Sequence, residues 1–252
     1  MLTIAIANRK GGVGKSTTAA ALTAGLISKG YRVLAVDLDA QRNLTSTMKA
    51  RADSKTALGV LTGEITAREA IRRTEAGDII PASKALSGAD AALTETGKEY
   101  RLREALEPVR GEYDFCILDC PPALGILTVN ALTAADSVVI PAQADIYSIE
   151  GIEDLQEIIQ PVRKYCNRSL GILGILLTRY NSRSVLSRDV TTIAGSLARK
   201  LGTSLFKATI REGIAVKEAQ ISQQSLFAYA PKAKVTDDYR AFVEEFLERI
   251  SG

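Results

Sequence analysis

Five short apolar runs, at residues 2–7, 33–36, 115–118, 137–140 and 170–177, are continuous instead of alternating with polar positions. That is the pattern of strands covered on both faces. Amphipathic stretches at residues 16–29, 126–135, 149–165 and 185–201 lie between them, each long enough for a covering helix. The alternation predicts an α/β fold, a mostly parallel twisted β-sheet with helices on both faces and right-handed crossovers. Residues 49–111 read as polar and helical, with Gly77-Asp78-Ile79-Ile80-Pro81 as a further short strand. Near the end, Tyr239, Phe242, Val243, Phe246, Leu247 and Ile250 recur at helical spacing and predict a core-packed helix over residues 237–250. With no repeat, low-complexity tract or Pro/Ser linker, a single domain over residues 1–252 is expected.

Composition narrows the chemistry. The chain has 252 residues, 46% of them apolar, and no histidine. Nucleophile systems built on histidine, histidine-ligated zinc and an imidazole base are therefore excluded. Any catalysis falls to carboxylates, lysines, backbone amides or a metal. Three cysteines, Cys116, Cys120 and Cys166, show no paired zinc spacing and predict a reducing, cytoplasmic setting. The first residues run straight into a strand-like segment without a targeting signal, and no run approaches the roughly 20 residues of a membrane span. The net charge of +3 is small, but it is unevenly spread. Residues 161–240 hold fourteen bases and five acids, a local surplus of +9, whereas residues 141–160 hold five acids and no base. Such a block is the footprint of a polyanion contact or of a solvated surface.

Ligands of parallel sheets sit beyond the carboxyl ends of the strands. Directly after the first run comes Lys10-Gly11-Gly12-Val13-Gly14-Lys15-Ser16-Thr17, which opens a helix. Glycines there let backbone amides wrap a phosphate, and the helix N-terminus adds a positive dipole end. Lys15 can reach β/γ-phosphate oxygens and the Ser16 hydroxyl can ligate Mg²⁺. The strict phosphate-loop template asks for glycine at position 9, where this chain has Arg9, followed by a second lysine, Lys10. The second run ends in Asp37-Leu38-Asp39-Ala40-Gln41, two carboxylates that point the same way on an extended chain. The third ends in Asp119-Cys120-Pro121-Pro122, with Asp119 placed to hold Mg²⁺ opposite Ser16.

The loop resembles the deviant Walker A loop of the ParA/MinD superfamily of ATPases, nearest its ParA/Soj-type partition members. The resemblance runs from Thr3 to the last helix and is weakest over residues 49–111. It implies ATP and Mg²⁺ as cofactors, with the phosphates held by Gly11, Gly12, Val13, Gly14, Lys15, Ser16 and Thr17. Lys10 is implied to act across an ATP-bound homodimer, doing the work of an arginine finger. Within the family's Asp-x-Asp-x-Gln switch, Asp39 is implied to position the attacking water and Asp37 to lie near the magnesium shell; Ala40 replaces the usual proline. Leu176-Leu177-Thr178-Arg179-Tyr180-Asn181 resembles the adenine-contacting segment, giving Thr178 and Arg179. Ile149-Glu150-Gly151 resembles a segment whose glutamate faces the nucleotide across the dimer, giving Glu150. Residues 210–220 and Tyr229-Ala230-Pro231-Lys232 look like the ParA C-terminal part, although an expected arginine is replaced by Ala215, with Lys217 nearby.

The implied function is an ATP-dependent, nucleoid-associated partition ATPase that binds DNA non-specifically and is stimulated by a ParB-like centromere-binding partner. The +9 block nominates Arg183, Arg188, Arg199, Lys200, Arg211 and Lys217 as DNA contacts. With the phosphate loop reached within ten residues, an N-terminal operator-binding extension is not expected. A MinD-like membrane-positioning ATPase stays open as an alternative; its C-terminal helix would be basic and amphipathic, whereas residues 237–252 carry five acids and two arginines. An electron-transfer ATPase of the nitrogenase iron-protein kind would need cluster-ligating cysteines at a dimer interface.

Overall fold

The computed structural model describes residues 1–251. Seven strands form one sheet: β1 (Leu2–Ile6), β2 (Val33–Asp37), β3 (Arg72–Thr74), β4 (Gly77–Ile80), β5 (Phe115–Asp119), β6 (Ser137–Gln143) and β7 (Gly171–Thr178). Their order is β3-β4-β2-β5-β1-β6-β7, with β3 antiparallel to β4 and every other pair parallel. The expected α/β architecture with a mostly parallel sheet is the one observed. The hairpin strand β3 went unread, because Arg72-Arg73-Thr74 carries no apolar run.

Among the described residues twelve α-helices accompany the strands: α1 (Lys15–Ser28), α2 (Asn43–Thr47), α3 (Ala57–Thr62), α4 (Ala67–Ala70), α5 (Ala89–Ala92), α6 (Arg101–Leu106), α7 (Ile126–Ala134), α8 (Ile146–Tyr165), α9 (Val185–Lys200), α10 (Ile214–Ile221), α11 (Leu226–Tyr229) and α12 (Lys234–Ser251). Neighbouring strand residues feed opposite cores. Ala5, Leu34, Val36, Cys116, Leu118, Val138 and Ile140 belong to a core on one face, and Ile4, Ile6, Val33, Ala35, Phe115, Ile117 and Val139 to a core on the other. Side chains on a strand point alternately to either face, so a sheet covered on both sides needs apolar residues in succession. The second core is closed by α12, whose Tyr239, Phe242, Val243 and Phe246 are buried. A Cβ on Gly25 would lie 2.6 Å from Val243 Cγ2, so glycine there lets α12 settle onto α1.

Candidate active site

The carboxyl ends of β1, β2, β5, β6 and β7 come together at one rim of the sheet. Beyond β1 the loop turns through Gly12 (φ 77°) and Gly14 (φ 92°), left-handed conformations that glycine adopts without a Cβ penalty. Gly14 caps α1 with no side-chain hydrogen bond, and no acidic residue sits in the first turn. The loop carbonyls are taken up instead: Lys10 O accepts from Lys15 Nζ (3.1 Å), Gly12 O from Gln143 Nε2 (2.7 Å) and Val13 O from Thr178 Oγ1 (2.8 Å). Among the described residues none accepts from the amides of residues 11–14. Unmatched donors at an uncapped helix start make an anion cradle.

This cradle opens a cavity of about 420 Å³. Gly11, Gly12, Val13, Gly14, Lys15, Ser16, Thr17 and Asp39 line it, together with Thr178, Arg179, Arg211 and Lys217 from the far side. Lys15 is 7% exposed, and burial lowers its pKa against the pull of Asp119 and Asp39. Thr17 Oγ1 accepts from Gln220 Nε2 (3.1 Å), tying α10 to the first turn of α1.

Asp119 is fully buried at the end of β5, and among the described residues neither of its carboxylate oxygens has a hydrogen-bond partner. Burial, then the charge of Asp37, raises its pKa well above the carboxylate range; Ser16 and Lys15 pull it back. Ser16 thus lies close to Asp119 without completing a hydrogen bond. Two orphaned oxygens beside a hydroxyl and a phosphate cradle fit a hard cation that takes one or two protein oxygens and completes its shell elsewhere.

Asp37, expected near a magnesium shell, is fully buried and lies in register with Asp119. One oxygen accepts from Asp39 N (3.0 Å), the other from Thr45 N (2.8 Å) and Thr45 Oγ1 (2.7 Å). It therefore shapes the segment carrying Asp39 and anchors α2. Its pKa is pushed up to about 6, mainly by burial. Asp39, 8% exposed, accepts from Gln41 N (2.9 Å) and faces the cavity.

Lys10 does not project free of its own chain. Its ammonium pairs with Asp145 Oδ1 (2.7 Å) and sits 5.2 Å from the Tyr147 ring centroid. Asp145 also caps α8 by accepting from Ser148 N (2.9 Å), so that helix starts at Ile146, three residues before its expected start. Asp145, Asn8, Gln143 and Thr45 were missed from sequence. A legible signal existed for Asp145, an N-cap carboxylate followed by a helix directly after a strand. Glu150 is exposed on α8. Thr178 is buried with its hydroxyl given to the loop, and Arg179 (φ 47°) holds a left-handed turn.

The six nominated DNA contacts do not gather on one surface element. Arg188, Arg199 and Lys200 lie exposed on α9. Arg183 and Arg211 border a second hollow next to the cavity, and Lys217 lines the cavity itself. Arg211 is held by both oxygens of Asp238 (2.7 Å each). Cys116 and Cys120 are buried, and among the described residues no three cysteines or carboxylates gather as a metal cage. Among the described residues, no helix is long and apolar enough to cross a membrane.

The profile of the AAA domain family matches residues 1–172. The chain is 39% identical over 253 aligned positions to the chromosome partitioning protein ParA of Caulobacter vibrioides, covering 98% of this chain and 94% of that protein. It is 38% identical over 247 positions to the sporulation initiation inhibitor protein Soj of Bacillus subtilis, covering 96% of each. A crystal structure from Mycobacterium smegmatis, described as cobyrinic acid a,c-diamide synthase with bound ADP and magnesium, superposes with a TM-score of 0.86 at 34% identity, covering 100% and 96% of the two chains. An ATP complex of McdA from Cyanothece superposes with a TM-score of 0.88 at 26% identity, covering 100% and 96%.

Proposed function

The chain belongs to the ParA/MinD superfamily of P-loop ATPases, and from that membership we propose a partition ATPase whose Mg-ATP form pairs two copies, binds DNA without sequence preference and is reset by hydrolysis. The observation that carries this reading is the convergence of an open amide cradle, buried Lys15 and the orphaned Asp119 carboxylate at one rim of the sheet. The chromosome partitioning relative at 39% identity supports the biological role. The ADP, magnesium and ATP of the solved neighbours support the cofactors.

In this mechanism the loop amides and Lys15 hold the β/γ-phosphates, with Thr178 and Arg179 bordering the remainder of the nucleotide. Ser16 and Asp119 would hold magnesium, with Asp37 shaping the switch instead of binding the ion. An ion held there would supply positive charge against the charge that develops on the phosphates. Asp39 accepts a hydrogen bond from the attacking water, a task to which a carboxylate is suited in a chain without histidine. Lys10 leaves Asp145 to reach the nucleotide of the second copy, where it offsets charge at the γ-phosphate. Glu150, exposed at the start of α8, would face the same junction. ATP between two copies makes pairing depend on the γ-phosphate. A ParB-like partner would stimulate turnover, and the protein would sit on the nucleoid in the cytoplasm.

DNA contact falls to α9. Arg188 and Arg199 are three helical turns apart and so share a face, with Lys200 beside them; Arg183 precedes the helix. The MinD-like alternative requires an apolar helix face free for a membrane, whereas the apolar face of α12 is packed into the core.

Co-sedimentation with random-sequence duplex DNA at two salt concentrations tests the reading. The wild type is expected in the pellet with Mg-ATP and in the supernatant with ADP, with retention falling as salt rises. Reversing Arg188, Arg199 and Lys200 to glutamate removes DNA binding and spares ATP-dependent pairing. Asp39→Ala retains ATP and traps the paired, DNA-bound form. DNA binding indifferent to nucleotide, or unchanged in the charge-reversed variant, contradicts it.

A further inference from the structure

A second cavity, about 670 Å³, lies away from the phosphate loop at the β3 edge of the sheet. Lys49, Arg51, Arg72 and Arg73 border it, opposed by Asp53 and Glu75. Asp53 is already paired with Arg72 (2.7 Å), and among the described residues Lys49, Arg51 and Arg73 form no ion pair. The wall holds two left-handed residues that are not glycine, Lys49 (φ 52°) and Gln223 (φ 50°). Each ends a helix: the Lys49 and Ala50 amides donate to Ser46 O and Thr45 O after α2, and the Gln223 and Gln224 amides to Gln220 O and Ala219 O after α10, so two helix stops fix this wall. The floor is firm. A Cβ on Gly77 of the β3–β4 turn would lie 2.5 Å from Ile27 Cδ1 of α1, and 3.7 Å from Met48 Cε.

We propose that this basic cavity is a second contact for the phosphodiester backbone of duplex DNA, one whose shape follows the state of the nucleotide site. Its unpaired cations, Lys49, Arg51 and Arg73, sit on long exposed stems rather than around a backbone cradle. The nearest helix start, that of α11, has its Ala228 amide taken by the Ser225 hydroxyl (3.2 Å). Flexible cations without an amide nest suit a polymer of evenly spaced charges better than one tightly gripped small phosphate. The dependence on nucleotide follows from shared walls. Asn43 at the start of α2 lines the nucleotide cavity, and Thr47, Met48 and Lys49 at its end line the basic one. Likewise Val216, Lys217 and Gln220 of α10 face the nucleotide cavity, while the following Gln223, Gln224 and Ser225 face the basic one. Thr45, between the two ends of α2, is the residue that clamps Asp37. A shift of the Asp39 segment around a γ-phosphate therefore moves one wall of each cavity together.

The inference rests on the DNA-binding reading, and the test separates the two. The full chain carrying Lys49→Glu, Arg51→Glu and Arg73→Glu is titrated with random-sequence duplex DNA by fluorescence anisotropy, with Mg-ATP, from 50 to 200 mM salt. A second variant with glutamine at the three positions guards against misfolding, and both are checked for wild-type thermal unfolding and ATP turnover without DNA. The expected result is affinity lower by about tenfold at the higher salt, and a slope of log K against log salt shallower by about 2–3, since each lost phosphate contact removes roughly 0.9. Wild-type protein that fails to bind DNA overturns the underlying reading. Wild-type binding with unchanged affinity and slope in the glutamine and glutamate variants overturns the cavity assignment alone. Unchanged DNA binding with loss of stimulation by a protein partner would place a protein there and also overturn it.

Discussion

Asp37 and Asp119 are neighbours in register on β2 and β5, and both lie where water does not reach. Two carboxylates so placed resist ionising together, and without a cation the folded chain holds their protons to higher pH than the unfolded chain does. Asp37 titrates near 6 when folded against 3.8 when free. Folding then takes up protons between about pH 4 and 6, so this contribution is complete below the lower limit and is lost as pH rises through the upper one. Asp119→Asn removes the like charge and is expected to raise the melting temperature of the nucleotide-free protein at pH 8 by a few degrees, about 2–4 °C per kcal/mol for a chain of this size. Its ATP turnover should be lost, and magnesium should no longer tighten nucleotide binding. Calorimetry at pH 5 and 8 with isothermal titration checks both; a variant less stable at pH 8 would show that the carboxylates do not oppose one another.

Among the elements, those carrying chemistry were also the most legible. A strand buried on both faces writes an apolar run, and the site begins where the run stops, so Lys15, Asp39 and Asp119 stood out at the ends of β1, β2 and β5. What stayed hidden was contact between separate elements. Nothing near Lys10 in sequence indicates Asp145, 135 residues away, and nothing local distinguishes Asp39 facing a cavity from Asp37 facing Thr45. The polar segment between β2 and β5 hid β3 because a three-residue edge strand needs no apolar face. Gly151 shows how closely such contacts are set. A Cβ there would lie 2.6 Å from Asn8 Oδ1 and 3.2 Å from Lys10 N, so glycine is what lets α8 rest against the phosphate loop. Gly151→Ala improves helix propensity yet is expected to displace the loop and weaken ATP binding several-fold, measurable by titration with a fluorescent ATP analogue. Unaltered affinity would mean that α8 and the loop move independently.

For the molecule as a whole, the Lys10–Asp145 pair would set a condition on the pairing proposed above. Both side chains are about a quarter to a third exposed, so the contact is worth on the order of 1 kcal/mol, enough to hold Lys10 to its own chain roughly five-sixths of the time. If Lys10 acts across the proposed pair, only the remaining fraction would be ready to engage a second copy, and the apparent pairing constant would be weakened in proportion. Salt therefore acts in opposite directions on the two associations proposed for this protein. It screens the pair that restrains Lys10 and should favour pairing, while it weakens the hold on DNA. Sedimentation velocity with Mg-ATP between 50 and 300 mM salt should show the paired fraction steady or rising as DNA retention falls; pairing that collapses alongside DNA binding would count against the restraint. In the proposed pairing Asp145 would thus act as a threshold, disfavouring association until the γ-phosphate offers Lys10 a better counter-charge.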